Sequence, residues 1–186
     1  FSSFSTSWLV HAERYVKDMT QRFSLDKHSH VIEVAANDGY LLQYVKKYNI
    51  PCIGIEPTTS TANAAREKGI YILQEFFGVK LAQQFVEQGK QADLTVANNV
   101  LAHVPDINNF VEGMKILLNS DGIITMEFPH LMQLIEKNQF DTIYHEHFSY
   151  FSLHTLQIIF SSFGLEIFDV EKNDYVLTSV TKYKYD

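Results

Sequence analysis

Short apolar runs alternate with amphipathic stretches along most of this chain. The runs at 31–35, 52–56, 71–73, 93–97 and 123–128 have the length and content of buried strands. Between them, the stretches at about 39–48, 60–68, 79–88 and 106–118 carry apolar residues at helical spacing, as in Leu41, Leu42 and Val45. A helix at 152–163 and a strand at 165–171 continue the series. Strands and helices alternating at this spacing predict a mostly parallel sheet with helices on both faces, a three-layer α/β arrangement of about seven strands. Ahead of it, Ser7 is placed to cap a helix running to about Phe23, with Trp8, Ala12, Tyr15, Val16 and Met19 on one face. That helix is expected either to pack on the sheet or to cover a ligand cleft. The tail at 175–185 alternates and is β-branched, which predicts an edge strand whose lysines discourage edge-to-edge pairing. The predicted organisation is a helical lead-in over 1–30 and a binding domain over 31–186, one domain overall.

Composition narrows the classes. A chain of 186 residues suits a single core. With 15 Lys and Arg against 22 Asp and Glu, the net charge of -7 argues against nucleic acid, whose phosphates need clustered cations. The lone cysteine, Cys52, falls in a predicted core strand, so an internal disulfide framework and a Cys-rich zinc module are excluded and a reducing cytoplasm is expected. No apolar run approaches the roughly 18 residues of a membrane span, and the first residues lack a signal peptide's basic start and apolar core. The chain opens on Phe1 rather than methionine, and a piece of a longer protein is expected.

In such a sheet, ligand contacts come from the carboxyl ends of the strands. The turn after the first strand, Ala35-Ala36-Asn37-Asp38-Gly39, has one glycine and not the glycine fingerprint that admits a pyrophosphate; Asp38 would repel phosphate. With Glu33 just before it, the turn suits a ligand that is cationic near a ribose, and S-adenosylmethionine fits that description. An ordinary strand-to-helix turn capped by Asn and Asp is the alternative. Glu56, at the end of the second strand, is placed to accept from a ribose diol. Pro57 follows it as a helix-start signal. Phe76 and Phe77, after the third strand, offer either an apolar wall for an adenine or ordinary core. Asn98 and Asn99, after the fourth, can hold the amino-acid end of the ligand or cap a helix, and His103 follows where a substrate would meet it. Pro129 ends the regularity, and 130–150 is aromatic and rich in histidine. There Tyr144, His145, Glu146, His147 and Tyr150 gather groups able to move protons near neutral pH. A metal site at His130, His145 and His147 is the alternative, but the spacing matches no zinc pattern, so no metal is expected.

These motifs occur together in a known order: Asn37-Asp-Gly-Tyr-Leu-Leu, Gly54-Ile-Glu-Pro, Glu75-Phe-Phe-Gly, Asn98-Asn-Val-Leu-Ala-His-Val-Pro-Asp and Phe140-Asp-Thr-Ile-Tyr-His-Glu-His-Phe-Ser-Tyr-Phe. Over about 2–171 the chain closely resembles the S-adenosylmethionine-dependent C-methyltransferases that act on nucleotide-linked keto-deoxysugars. The resemblance implies a Rossmann-like class I methyltransferase fold, S-adenosylmethionine as cofactor and a nucleotide-sugar substrate. It also implies chemistry in which a carbon acid beside a 4-keto group loses a proton before methylation. By the same resemblance His147 is the base, and Tyr144, Glu146 and His103 orient the sugar or steady the enolate. Glu33, Ala35, Asn37, Asp38, Gly39, Glu56, Pro57, Phe76, Phe77, Asn98 and Asn99 would form the cofactor site. Family members usually add a cysteine-rich zinc module and a C-terminal α/β domain. After Glu171 the family continues into a Thr-His-Gly-Gly-Ser motif; positions 173–179 differ here, and that motif's role is not carried over.

Overall fold

The computed structural model describes residues 1–172 and 176–183. Burial explains where the sheet forms. β1 (Val31–Val34) is buried at every position, and β4 (Ala92–Asn98) at every position but Asp93, as expected for parallel strands covered on both faces. β2 (Cys52–Ile55) and the two-residue β3 (Ile72–Leu73) lie on one side of β1, and β5 (Leu118–Pro129) lies beyond β4. These five strands are parallel. β6 (Leu165–Lys172) and β7 (Val176–Tyr183) complete a seven-stranded sheet in the order β3-β2-β1-β4-β5-β7-β6. β7 runs antiparallel to both of its neighbours.

Two cores flank the sheet. On one face α1 (Thr6–Arg22), α2 (Leu42–Lys47) and α3 (Thr59–Glu67) bury Ala12, Val16, Leu42, Val45, Ala62 and Ala65 against Val31, Leu94 and Val96. On the other, α4 (Val79–Glu87), α5 (Ile107–Leu117) and α7 (Leu153–Ser162) bury Phe85, Phe110, Met114 and Phe160 against Ile32, Ile124 and Phe128. α6 (Leu131–Glu136) follows β5 directly. Among the described residues no helix is long and apolar enough to cross a membrane.

The tail is not an edge. β7 inserts between β5 and β6, pairing Thr125 with Val180 and Ile167 with Thr181, and β6 becomes the outer strand. Alternation reports that a strand has two faces; it carries no information on whether both of its edges are paired. Tyr175, Lys184 and Tyr185 of that predicted strand lie outside the described residues. Ser5, not Ser7, caps α1, its hydroxyl accepting from the Trp8 N–H at 3.3 Å. β5 begins at Leu118 rather than at 123, because an irregular register between Ala92 and Leu94 lets Ser120 and Asp121 stand out to solvent. The stretch at 130–150, assigned no element from its pattern, holds α6 and a 3-10 turn at Phe140–Thr142.

Candidate active site

β1 stops because the chain turns left-handed. Ala35, Asn37 and Gly39 have φ of 60°, 51° and 72°, a conformation that costs a side-chain-bearing residue free energy and often accompanies function. Gly39 is required on two grounds. Its φ favours glycine, and a Cβ there would overlap the Ile70 side chain and press on Ala65 of α3. The turn is fastened to β2 by Glu56, which is buried. One carboxylate oxygen accepts from the Asn37 N–H at 3.0 Å and the other from the Thr58 N–H at 2.9 Å. A carboxylate has about four acceptor positions, so two remain for hydroxyls.

Above these strand ends lies a cleft of about 530 Å³. Ala35, Asn37, Glu56 and Pro57 line one wall; Phe76, Phe77, Asn99 and Val100 line another; His103 and Glu146 stand at its rim. Phe77 is held edge-on against Phe110, with centroids 5.5 Å apart, whereas Phe76 is 84% exposed and free to lie over a planar ligand. Asn99 turns left-handed, with φ of 53°, and its N–H donates to the Glu127 carbonyl at 2.7 Å. Neither Asn98 nor Asn99 caps a helix: Asn98 ends β4 inside the sheet, and Asp106 caps α5 through the Asn109 N–H at 3.1 Å.

The remaining predicted cofactor residues are buried beside the cleft instead of lining it. Glu33 is 1% exposed, and both of its carboxylate oxygens lack a partner. Burial, reinforced by Glu56, Asp38 and Glu127, holds its pKa well above the usual carboxylate range. Asp38 receives the Ser3 N–H at 3.2 Å and Lys68 Nζ at 3.5 Å on one oxygen, and its other oxygen has no partner. Asn98 is buried with its amide oxygen unpartnered. Asp38 is covered by the N-terminal segment: Ser2 N–H donates to Asn37 Oδ1 at 3.2 Å, and Lys68 Nζ ties Ser3 Oγ to the Asp38 carbonyl at 2.6 and 2.7 Å.

The proton-transfer candidates converge. The His147 ring lies 4.2 Å from Tyr144 and 4.6 Å from His103 between centroids, and Tyr150 meets it edge-on at 5.7 Å. His147 Nδ1 lies 2.8 Å from the Thr142 carbonyl, and His103 Nδ1 lies 3.1 Å from the Glu146 carbonyl. A carbonyl only accepts, so each Nδ1 carries the proton, and in the neutral ring Nε2 is the free base. Phe148 N–H donates to the Ala102 carbonyl at 2.8 Å, which docks the loop on the cleft's rim. Burial, helped by the neighbouring His147, lowers the His103 pKa, and burial raises that of Tyr144. His130 is elsewhere, its Nε2 accepting from the Leu153 N–H at the start of α7. Among the described residues no three potential metal ligands come together.

Some site features escaped the sequence reading. The Thr58 N–H had a signal in its place after Glu56 and Pro57. The Thr142 carbonyl had no signal, being a backbone group, and neither did the covering of Asp38 by Ser2 and Ser3.

Residues 8–170 match the family model described as a methyltransferase domain. The chain is 32% identical over 173 residues to the C-methyltransferase NovU of Streptomyces niveus, a match that covers 93% of this chain and 41% of that protein. It therefore spans about two fifths of that relative's length. Magnesium protoporphyrin IX methyltransferase of Synechocystis, solved with S-adenosylhomocysteine bound, superposes with a TM-score of 0.72 at 12% identity, covering 93% of this chain and 82% of that one. The PH0226 protein of Pyrococcus horikoshii gives 0.74 at 12% identity, over 97% and 92%. The chain belongs to the methyltransferase-domain family, with the Rossmann-like fold of class I enzymes, and its cofactor is S-adenosylmethionine. The donor set fits that group: Glu56 keeps acceptor positions free, and the unpartnered oxygens of Glu33, Asp38 and Asn98 suit an ammonium.

Proposed function

We propose that the chain is the methyl-transferring part of a C-methyltransferase acting on a nucleotide-linked 4-keto-deoxysugar, with proton abstraction by His147. The observation that carries this reading is the fixed tautomer of His147, with Nε2 free, edge-on to His103 and tilted against Tyr144 at the rim of the cofactor cleft. A methyltransferase acting on oxygen or nitrogen needs no base for a carbon acid. Here a base, a second imidazole and a phenol have ring centroids 4.2 to 6.3 Å apart, and the sequence relative named above is itself a C-methyltransferase.

In this reading Glu56 accepts from the ribose diol, Phe76 and Phe77 flank the adenine, and Asn37, Asn99 and the Ala35–Gly39 turn close around the nucleoside. Pro57 fixes the cleft wall after Glu56. Glu33, Asp38 and Asn98 take the amino-acid end. The bound cofactor supplies an electrophilic methyl group. His147 Nε2 accepts the proton from the sugar carbon beside the ketone. Tyr144, whose pKa is raised, stays protonated and donates to the enolate oxygen. His103, whose pKa is lowered, stays neutral beside His147, so the base does not face a second positive charge. Glu146 orients a sugar hydroxyl. Together 1–30 and 31–186 act as one domain, the lead-in roofing the site.

The test is exchange. In deuterated water, with S-adenosylhomocysteine present, the wild-type chain should wash deuterium into the carbon beside the keto group. His147→Gln should stop it while still binding the nucleoside. Unchanged exchange in the variant would remove His147 from the role.

A further inference from the structure

A row of polar side chains crosses the sheet beneath α1. Glu33, Asn98 and Glu127 share the face of Val31, Leu94 and Val96, because side chains alternate along a strand and those apolar residues pack on the α1 side. Asn98 and Glu127 are direct neighbours in register, and Thr178 of β7 stands opposite Glu127. Glu127 has no exposed surface. His11 of α1 reaches one of its oxygens, Nε2 to Oε1 at 2.6 Å, and Thr178 Oγ1 donates to the same oxygen at 3.3 Å. The second oxygen of Glu127, the amide oxygen of Asn98 and both oxygens of Glu33 have no partner.

A row of buried acceptors without donors is costly, and a helix held only for stability would be served better by apolar residues of similar size. What the Glu33–Asn98 end of the row lacks is a positively charged donor of N–H bonds, such as His11 gives Glu127 at the other end. The segment that roofs it is pinned at both ends, by Ser2 and Ser3 on the Asn37–Asp38 turn and by His11 on Glu127. Between the pins Trp8 lies 5.1 Å from the His11 ring and 6.2 Å from Tyr40. The open cleft reaches Ala35, Asn37 and Glu56 but not this row.

We propose that His11 is a positioning residue for the amino-acid end of the cofactor, holding Glu127 and thereby seating the start of α1 over the Glu33–Asn98 row. This rests on the cofactor reading above and adds to it a pair, His11 and Glu127, that lies 116 positions apart and outside the nucleoside cleft. The site has two halves. The nucleoside half is open, and the amino-acid half is closed by α1 through His11.

The two halves can be read separately. The 186-residue chain is titrated by calorimetry with S-adenosylhomocysteine and with 5′-methylthioadenosine, which keeps the nucleoside and thioether but lacks the amino-acid end. His11→Leu should weaken S-adenosylhomocysteine about tenfold, an ordinary size for coupling between sites, and leave methylthioadenosine unchanged. His11→Gln, which retains an N–H donor for Glu127, should recover most of the loss. Should the leucine variant fail to fold, Glu127→Gln reads the same split. Equal weakening of both ligands would mean a purely structural role, and no weakening of either would mean no role; each overturns the proposal. Wild-type chain that binds neither ligand would instead overturn the cofactor reading itself, and a methylthioadenosine signal in wild type separates the two failures.

Discussion

Glu56→Ala removes a side chain that joins the ends of β1 and β2. The buried carboxylate accepts two backbone N–H bonds, from Asn37 and Thr58, at 3.0 and 2.9 Å. Hydrogen bonds to a charged group contribute about 1.5–3 kcal/mol each. Both donors border the cleft, where water can replace the lost acceptor, so the low end applies and the pair is worth about 3 kcal/mol. A chain of 186 residues unfolds with an entropy of about 0.4 kcal/mol/K. The expected fall in melting temperature is therefore about 8 °C, read by calorimetry or circular dichroism. In the proposed reading the same change strips the ribose of its acceptor, and it should weaken S-adenosylhomocysteine at least about tenfold, roughly 1.4 kcal/mol. Glu56→Gln, which keeps one acceptor oxygen but turns an amide N–H towards a donor, should fall between. An alanine variant that melts with the wild type and binds S-adenosylhomocysteine equally well would refute this account of the turn.

Gly39→Ala should destabilise by roughly 2 kcal/mol in urea titrations, since it combines a left-handed φ with overlap on Ile70 and Ala65. His11 gives a pH signature: its bond to Glu127 raises its pKa above the ordinary 6.5, although burial and Arg14 oppose this. The folded chain thus binds that proton more tightly than the unfolded one, so the contribution is complete below pH 6.5 and is lost as pH rises through the raised value. The wild-type advantage over His11→Leu in urea titrations should shrink across that window, and an advantage that grew with pH would contradict the pairing. Cys52 is half-buried and its thiol is pushed up to about 11, so at pH 8 iodoacetamide should modify it far more slowly in the folded chain than in urea.

Local pattern carried the parallel part of the sheet, because each strand from β1 to β4 and the second half of β5 is a short apolar run with a helix behind it. Glu56 was legible for the same reason: an acid at the end of a buried strand has a predictable address. The reversal at the end of the sheet was not legible, since β7 reads alike whether one or both of its edges are paired. The His11–Glu127 contact joins residues 116 apart, and no spacing in the sequence brings them together. The Tyr144–Tyr150 cluster stood out by composition, and its rings do converge. The tautomer of His147 depends instead on the Thr142 carbonyl, a backbone group that every sequence contains. Asp38 was expected at the cofactor site and is found under the N-terminal segment, because Ser2 and Ser3 reach the turn through their backbone N–H groups, which composition does not reveal.

The most direct test of the central claim follows the methyl group. The chain is incubated with S-adenosylmethionine carrying a ¹³C-labelled methyl and a nucleotide-linked 4-keto-deoxysugar, and the product is read by NMR. The account predicts a label bonded to carbon next to the keto position, absent from the His147→Gln reaction. A label on oxygen, or transfer to carbon that persists without His147, would contradict it.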